Sequence, residues 1–391
     1  MAEKTYSLYI HIPYCISKCR YCDFFSKACG SLSVPDEYVQ ALCNEISRFF
    51  GASIDTIYVG GGTPSLLKHS QISKIFDSIN RNCKLSENAE ITFEVNPDDV
   101  SEELLAALEA AGVNRISCGI QSMTEKVLQY AGRRASAKVN EKALELFKTH
   151  WNKKLSLDVI CALPYETTDS FIKTLDVVLA ANPDHLSMYS LTIEDETPFG
   201  KDLADGALSY DFEEADKMWL SGRDYLESHG FSQYEVSNFA SEQNRCRHNL
   251  VYWNHGDYFG AGSGATGTVY YKDGSGLRTT NTSDIKKYID FWTNPKSDPA
   301  QLSQIQIQET IDSETSEFEF FMMGLRKMDG VSASSFKQIF GKPLPERFLS
   351  LFSKWEEKGL CVRHAGNDGD EFYGMSREGI LFLNRFLEEL C

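Results

Sequence analysis

The chain has 391 residues, and at about 150 residues per domain that length predicts two or three domains. Hydrophobic residues make up 42% and charged residues 24%, which excludes a disordered or collagen-like chain and leaves ample apolar surface for a buried core. Asp and Glu number 56 against 39 Lys and Arg, a formal charge of −17 that disfavours nonspecific binding to nucleic acid or anionic membrane.

The N-terminus, MAEKTYSLYIHIPYC, has no long apolar stretch and no small-residue cleavage site, so it does not read as a signal peptide. No apolar run approaches the ~18 residues of a membrane span, and no stable membrane insertion is expected. The 11 cysteines are scattered apart from one tight group, which reads as metal-binding in a cytoplasmic protein and not as a disulfide framework.

Residues 1–230 alternate strand and helix signals. Apolar runs suited to buried parallel strands lie at 8–12, 54–59, 91–95, 115–118, 155–160 and 185–190. Helical patterns separate them: one follows Pro35, with Asp36 as its cap, and another follows Ser101 and ends at Gly112. Further helices are expected near 69–80, 137–150, 167–180 and 211–229. Six strand–helix units predict an α/β fold, an open, partial (β/α)6 barrel with its site at the C-terminal ends of the strands.

Residues 231–310 break the alternation and are expected to form a loop-rich segment packed across the barrel mouth. Residues 311–391 turn helical, with a hairpin near 360–374, and predict a small winged-helix-like domain. From Ile311 on, 10 Lys and Arg face 14 Asp and Glu, a net of −4 that argues against DNA binding.

Cys15, Cys19 and Cys22 form C-x3-C-x2-C directly after the first strand. Three thiolates on one short loop can hold three corners of a four-iron cube and leave the fourth iron to an exogenous ligand. The competing reading is zinc, with Cys29 or His11 as the fourth ligand. GGGTPS, at 60–65, follows the second strand, where glycines let backbone approach a ligand or simply make a tight turn.

The motif in YIHIPYCISKCRYCDF, with Tyr21 before the last cysteine, resembles the radical S-adenosylmethionine family. The longer string is similar to the subgroup that holds oxygen-independent coproporphyrinogen III oxidases and heme chaperones of the HemW type. The likeness continues in order through GGGTPS, FEVNP, GVNRISCGIQS, LDVICALP, HLSMYSLTIEDETPF, YEVSNFA and CRHNLVYWNHGDYFGAG to the C-terminal helical domain.

The resemblance implies a 4Fe-4S cluster on Cys15, Cys19 and Cys22. It implies S-adenosylmethionine contacts at Gly61, Gly62, Thr63 and Glu94, with Gln121, Arg133 and Asp158 in register with a second adenosylmethionine site. Tyr9 and Tyr21 match contacts near the cluster, although Tyr9 equally suits a core. Ala135 stands where the family usually has His. His248, Asn249, Tyr252 and Trp253 match H-N-x-x-Y-W, which implies heme binding, with Cys246 as a second candidate iron ligand. Physically, a neutral imidazole can ligate heme iron and aromatic faces can cover a porphyrin, whereas any one of these residues alone would be read as core.

Two features divide the subgroup. Oxidases carry a further cysteine two positions after the last cluster cysteine, where this chain has Phe24, and they have a long N-terminal extension, where this chain has 14 residues before Cys15. Both imply a chaperone that binds cluster, S-adenosylmethionine and heme and delivers heme to a client protein. The alternative is oxidative decarboxylation of coproporphyrinogen III.

Overall fold

The computed structural model describes residues 4–30, 33–295, 299–366 and 369–391. Six parallel strands run in chain order: β1 (Thr5–Ile12), β2 (Ser53–Gly61), β3 (Lys84–Val95), β4 (Arg115–Gln121), β5 (Lys154–Cys161) and β6 (His185–Ser190). The helices between them are α1 (Asp36–Ile46), α2 (His69–Asn82), α3 (Glu102–Ala110), α4 (Glu125–Tyr130), α5 (Ala137–His150) and α6 (Thr168–Leu179). These form the α/β partial barrel expected from the alternation.

Each strand buries two faces of different chemistry, because side chains alternate with a period of two. On β1, Leu8, Ile10 and Ile12 are fully buried with the helices, while Ser7, Tyr9 and His11 take the opposite face. The same split places Thr56, Tyr58, Glu94, Ser117 and Asp158 on the inner face, where their side chains bond to one another and to their neighbours. The lumen is therefore polar, and the apolar core is the layer between sheet and helices.

One local expectation is corrected. Asp36 does not cap α1: Pro35 holds the N-cap position with no side-chain bond, and Asp36 is the first helical residue, accepting from Gln71 Nε2 at 2.6 Å. Ser101 does cap α3, accepting from Leu104 N.

The segment after β6 departs further from expectation. After α7 (Pro198–Ala204) and α8 (Phe212–Ser228), strand β7 (Asn238–Ala240) pairs antiparallel with β6. Helix α9 (Arg247–Trp253) follows, and then β8 (Tyr258–Ala261) pairs parallel with β1 on the side away from β2. Strands β9 (Thr266–Tyr270), β10 (Gly276–Asn281) and β11 (Gln306–Ile311) continue outward as antiparallel neighbours. The sheet has 11 strands in the order β11-β10-β9-β8-β1-β2-β3-β4-β5-β6-β7. Much of 231–310 thus widens the sheet from its β1 edge instead of lying across the mouth.

Helix α10 (Ile285–Thr293) lies against α1. The remaining helices, α11 (Ser313–Gly324), α12 (Ala333–Phe340), α13 (Glu346–Glu356) and α14 (Leu383–Leu390), pack with a three-stranded sheet around a separate aromatic core that includes Phe321, Phe336, Phe348 and Phe386. The third strand of that sheet, Val331–Ser332, extends the expected hairpin. The Glu235–Lys327 bridge and the bond from Met328 N to Tyr234 O join this body to the segment before β7. Among the described residues no helix is long and apolar enough to cross a membrane.

Candidate functional site

The cysteine loop leaves β1 at the C-terminal end of the barrel strands. Cys15 is buried, and Cys19 and Cys22 are partly so. Cys15 Sγ lies 3.5 Å from the Thr63 hydroxyl, and Cys19 Sγ lies 3.7 Å from an Arg133 nitrogen. Burial pushes the Cys22 thiol upward, and the neighbouring Cys19 and Cys15 push in the same direction.

Among the described residues no three His, Cys, Asp or Glu side chains converge as the ligands of a single ion do. A four-iron cube asks for a different arrangement, one thiolate at each of three separate corners. The two side chains considered as a fourth ligand are turned to other tasks. His11 Nε2 bonds the Phe25 carbonyl oxygen at 2.9 Å and so carries the proton, while Nδ1 accepts from the Tyr9 hydroxyl at 2.8 Å. The Cys29 thiol lies 3.2 Å from the Cys15 carbonyl oxygen. The residues fit a cube with three protein ligands.

The glycine turn after β2 meets this loop. A Cβ on Gly62 would sit 2.6 Å from the Tyr14 carbonyl oxygen and 2.9 Å from Cys15 Sγ, and Gly61 has φ of 116° against the His11 ring. Close approach to the cysteine loop requires glycine at 62, and the positive φ together with the His11 ring requires it at 61. The turn also holds Glu94: Gly61 N donates to one carboxylate oxygen at 3.3 Å and the Tyr58 hydroxyl to the other at 2.8 Å. Burial, opposed by those two bonds, raises the Glu94 carboxyl to about 7. A carboxyl set there is poised to be ionised by an arriving cation.

Around Glu94 the lumen gathers the other expected residues. Asp158 accepts from the Ser117 hydroxyl at 2.9 Å and is likewise pushed up by burial. Arg133 donates to the Gly119 carbonyl oxygen at 2.7 Å and to Asn96 Oδ1 at 3.3 Å, yet its Nε has no partner. Gln121 stands at φ of 67°, where β4 and β5 shift register, and its buried Oε1 is also without a partner. These unmet groups suit a polar ligand lying along the strand ends. Tyr21 packs on Phe199 beside Cys19 and Arg133. Ala135 is buried in full.

Sequence reasoning missed Tyr58 and Asn96. Tyr58 was legible, because it lies two residues from Thr56 and two from Gly60 on the inward face of β2. Asn96 Nδ2 reaches Thr63 at 3.4 Å while its oxygen serves Arg133, and no pattern in FEVNP announces that bridge.

The H-N-x-x-Y-W residues occupy a different place from the one expected of an open heme surface. His248 is 1% exposed and belongs to the barrel floor. Its Nδ1 lies 2.7 Å from Thr56 Oγ1, which itself donates to Ser7, so Nδ1 carries the proton. Nε2 then accepts from the Tyr252 hydroxyl at 2.8 Å. Burial, reinforced by the Arg115 charge, lowers the imidazole to about 3. An iron could take Nε2 only by displacing Tyr252. The Cys246 thiol is fully buried and raised to about 12, which removes it as a ready ligand. Asn249 and Trp253 are partly buried on the same short helix, and Trp253 Nε1 is without a partner.

This placement makes His248 a brace. His248→Ala should cost about 1–3 kcal/mol by stranding Thr56 and Tyr252, and should leave cluster iron unchanged. Thermal unfolding and iron content measured on one sample check it. A mutant with wild-type stability but a lost heme absorbance band would return the imidazole to an iron-ligand role.

Residues 9–178 match the Radical SAM superfamily and residues 311–367 match the HemN C-terminal domain. The chain is 36% identical to the heme chaperone HemW of Bacillus subtilis over 90% of this chain and 92% of that protein. It is 36% identical to HemW of Escherichia coli over 98% and 97%. The structure superposes on coproporphyrinogen III oxidase (HemN) of Escherichia coli with a TM-score of 0.79 at 21% identity, covering 99% of this chain and 90% of that one, a likeness of fold.

Proposed function

This chain belongs to the family of the heme chaperone HemW within the Radical SAM superfamily, and from that premise we propose that it binds heme and passes it to a client protein in the cytoplasm. The observation that carries the reading is 36% identity to HemW proteins along almost the whole chain. Phe24, 74% exposed where oxidases have cysteine, supports the same side of the division. Titration of the cluster-loaded protein with heme, followed by absorbance, tests it. Saturable binding with a shifted Soret band is expected, and the absence of binding would refute the reading.

Within the barrel, Cys15, Cys19 and Cys22 hold the 4Fe-4S cluster. Gly61, Gly62 and Thr63 would lie beside the cluster at Cys15, and Glu94 would receive the cationic end of S-adenosylmethionine. Gln121, Arg133 and Asp158 line the continuing lumen, and Tyr9 supports the turn through His11. A cluster held there would supply the reducing electrons for S-adenosylmethionine chemistry.

A pH dependence follows from Glu94. In the ligand-free fold its pKa, about 7, lies above the ordinary 4.5, so the fold takes up a proton here between those values. The carboxylate exists mainly above pH 7, and only the carboxylate attracts a cation. S-adenosylmethionine affinity should therefore rise as pH passes upward through about 7, and Glu94→Gln should bind weakly at every pH. Equilibrium dialysis from pH 6 to 8.5 reads both; a flat profile in the wild type contradicts the assignment.

A further inference from the structure

A cavity of about 490 Å³ lies outside the lumen, at the N-terminal ends of β1 and β2, the opposite end of the strands from the cysteine loop. Tyr6 shares the helix-side face of β1 with Leu8 and Ile10, and Phe259, paired with Leu8, carries that face onto β8. Val269 and Leu277, paired across β9 and β10, extend it outward. The chain leaves α1 through the turn Ser47–Phe49, and the sheet face beside that turn stays open as the cavity. Its volume is that of a small-molecule site, about 300–1,000 Å³.

The walls are aromatic. Phe259 stacks on Tyr6 with ring centres 4.5 Å apart and on Phe49 at 4.6 Å. Phe50 stands at the rim and is 79% exposed. Gly51, Gly260 and Gly267 also line the cavity and bring no side chains, so part of its floor is bare backbone.

Arg48 is the one charged side chain of this lining among the described residues. Its guanidinium lies 5.7 Å from the centre of the Trp292 ring and makes no hydrogen bond with any described residue. The acid closest to it, Glu45, is 3.9 Å away and already accepts from Tyr288, Gly262 N and Asn281 at 2.6–2.8 Å. Aromatic faces beside a guanidinium with open donors match a flat apolar ring that carries a carboxylate at its edge.

Resting on the heme reading above, we propose that this groove carries the heme in transit, with the ring against Phe49, Phe50 and Phe259 and a propionate on Arg48. No His, Cys or Met is among the described lining residues, so the iron keeps its axial positions free of imidazole and sulfur. That suits a carrier, because the axial ligand of a client can bond the iron without first displacing one from this protein. The groove also sets the cargo at the far end of the strands from the cysteine loop and needs no iron contact from His248.

The test is a titration of cluster-loaded protein with heme and with heme dimethyl ester, which has no free carboxylate. Arg48→Met should bind heme about tenfold more weakly than the wild type, the size of one charge-assisted bond, and should bind the ester as the wild type does. Leu277→Glu, which sets an acid in the groove, should weaken both porphyrins. Neither variant should change cluster iron or S-adenosylmethionine binding. Should these two variants not fold, Phe50→Ala at its exposed position is read in their place, and it too should weaken both porphyrins. Wild-type heme affinity in Arg48→Met and Leu277→Glu, or in Phe50→Ala read for them, overturns the groove and leaves the heme reading intact. A wild type that binds no heme overturns both.

Discussion

Replacing any one of Cys15, Cys19 or Cys22 by Ala is expected to abolish the cluster. On the proposed assignment each thiolate would serve a separate corner, so none would be redundant, and the two nearby candidates are engaged elsewhere. His11 has both ring nitrogens bonded, and the Cys29 thiol is directed at the Cys15 carbonyl oxygen. The other cysteines lie elsewhere: Cys43, Cys83, Cys118, Cys161 and Cys361 are buried in the packed layers, and Cys391 is the exposed C-terminal residue. Anaerobic reconstitution followed by iron analysis and EPR is the measurement. The single Ala variants should lose essentially all four-iron signal, whereas Ser at those six positions should lose none. A triple-Ala protein with a full four-iron signal would contradict the site.

The largest loss of stability is expected at Glu45, which is fully buried on α1. Its carboxyl accepts from the Tyr288 hydroxyl at 2.6 Å, Gly262 N at 2.8 Å and Asn281 Nδ2 at 2.7 Å, with Arg48 at 3.9 Å. Burial raises its pKa and the three donors oppose that shift. One acid thereby ties α1 to α10, to β10 and to the turn after β8. Glu45→Ala strands all three donors, and removing one member of such a buried network costs about 3–5 kcal/mol. Urea unfolding checks the value, and a loss below about 1 kcal/mol would show that the donors find other partners. The consequence reaches the cluster loop, because Tyr38 on the same helix donates to the His11 carbonyl oxygen at the end of β1.

Glu45 also marks where sequence reading stops. In ALCNEIS a glutamate four residues from Ala41 reads as one more polar position on an amphipathic helix, and its partners lie more than 200 residues away. The six barrel strands and their helices were legible because each carries its own local period. The polarity of the lumen was half legible: Ser7, Tyr9 and His11 alternate with Leu8, Ile10 and Ile12, although the run reads as simply apolar. The widening of the sheet was not legible, since the parallel pairing of β8 with β1 joins segments some 250 residues apart and leaves no local signal. His248 was recognised by its motif, but its bonds to Thr56 and Tyr252 turn it from an expected iron contact into part of the floor.

The division between chaperone and oxidase is decided most directly by mass spectrometry of the porphyrin. Cluster-loaded protein is incubated anaerobically with coproporphyrinogen III, reductant and S-adenosylmethionine. A chaperone of this family leaves the substrate mass unchanged, and that is the result expected here. Loss of carbon dioxide from two propionates, with vinyl groups in their place, would contradict the account and make the protein an oxidase.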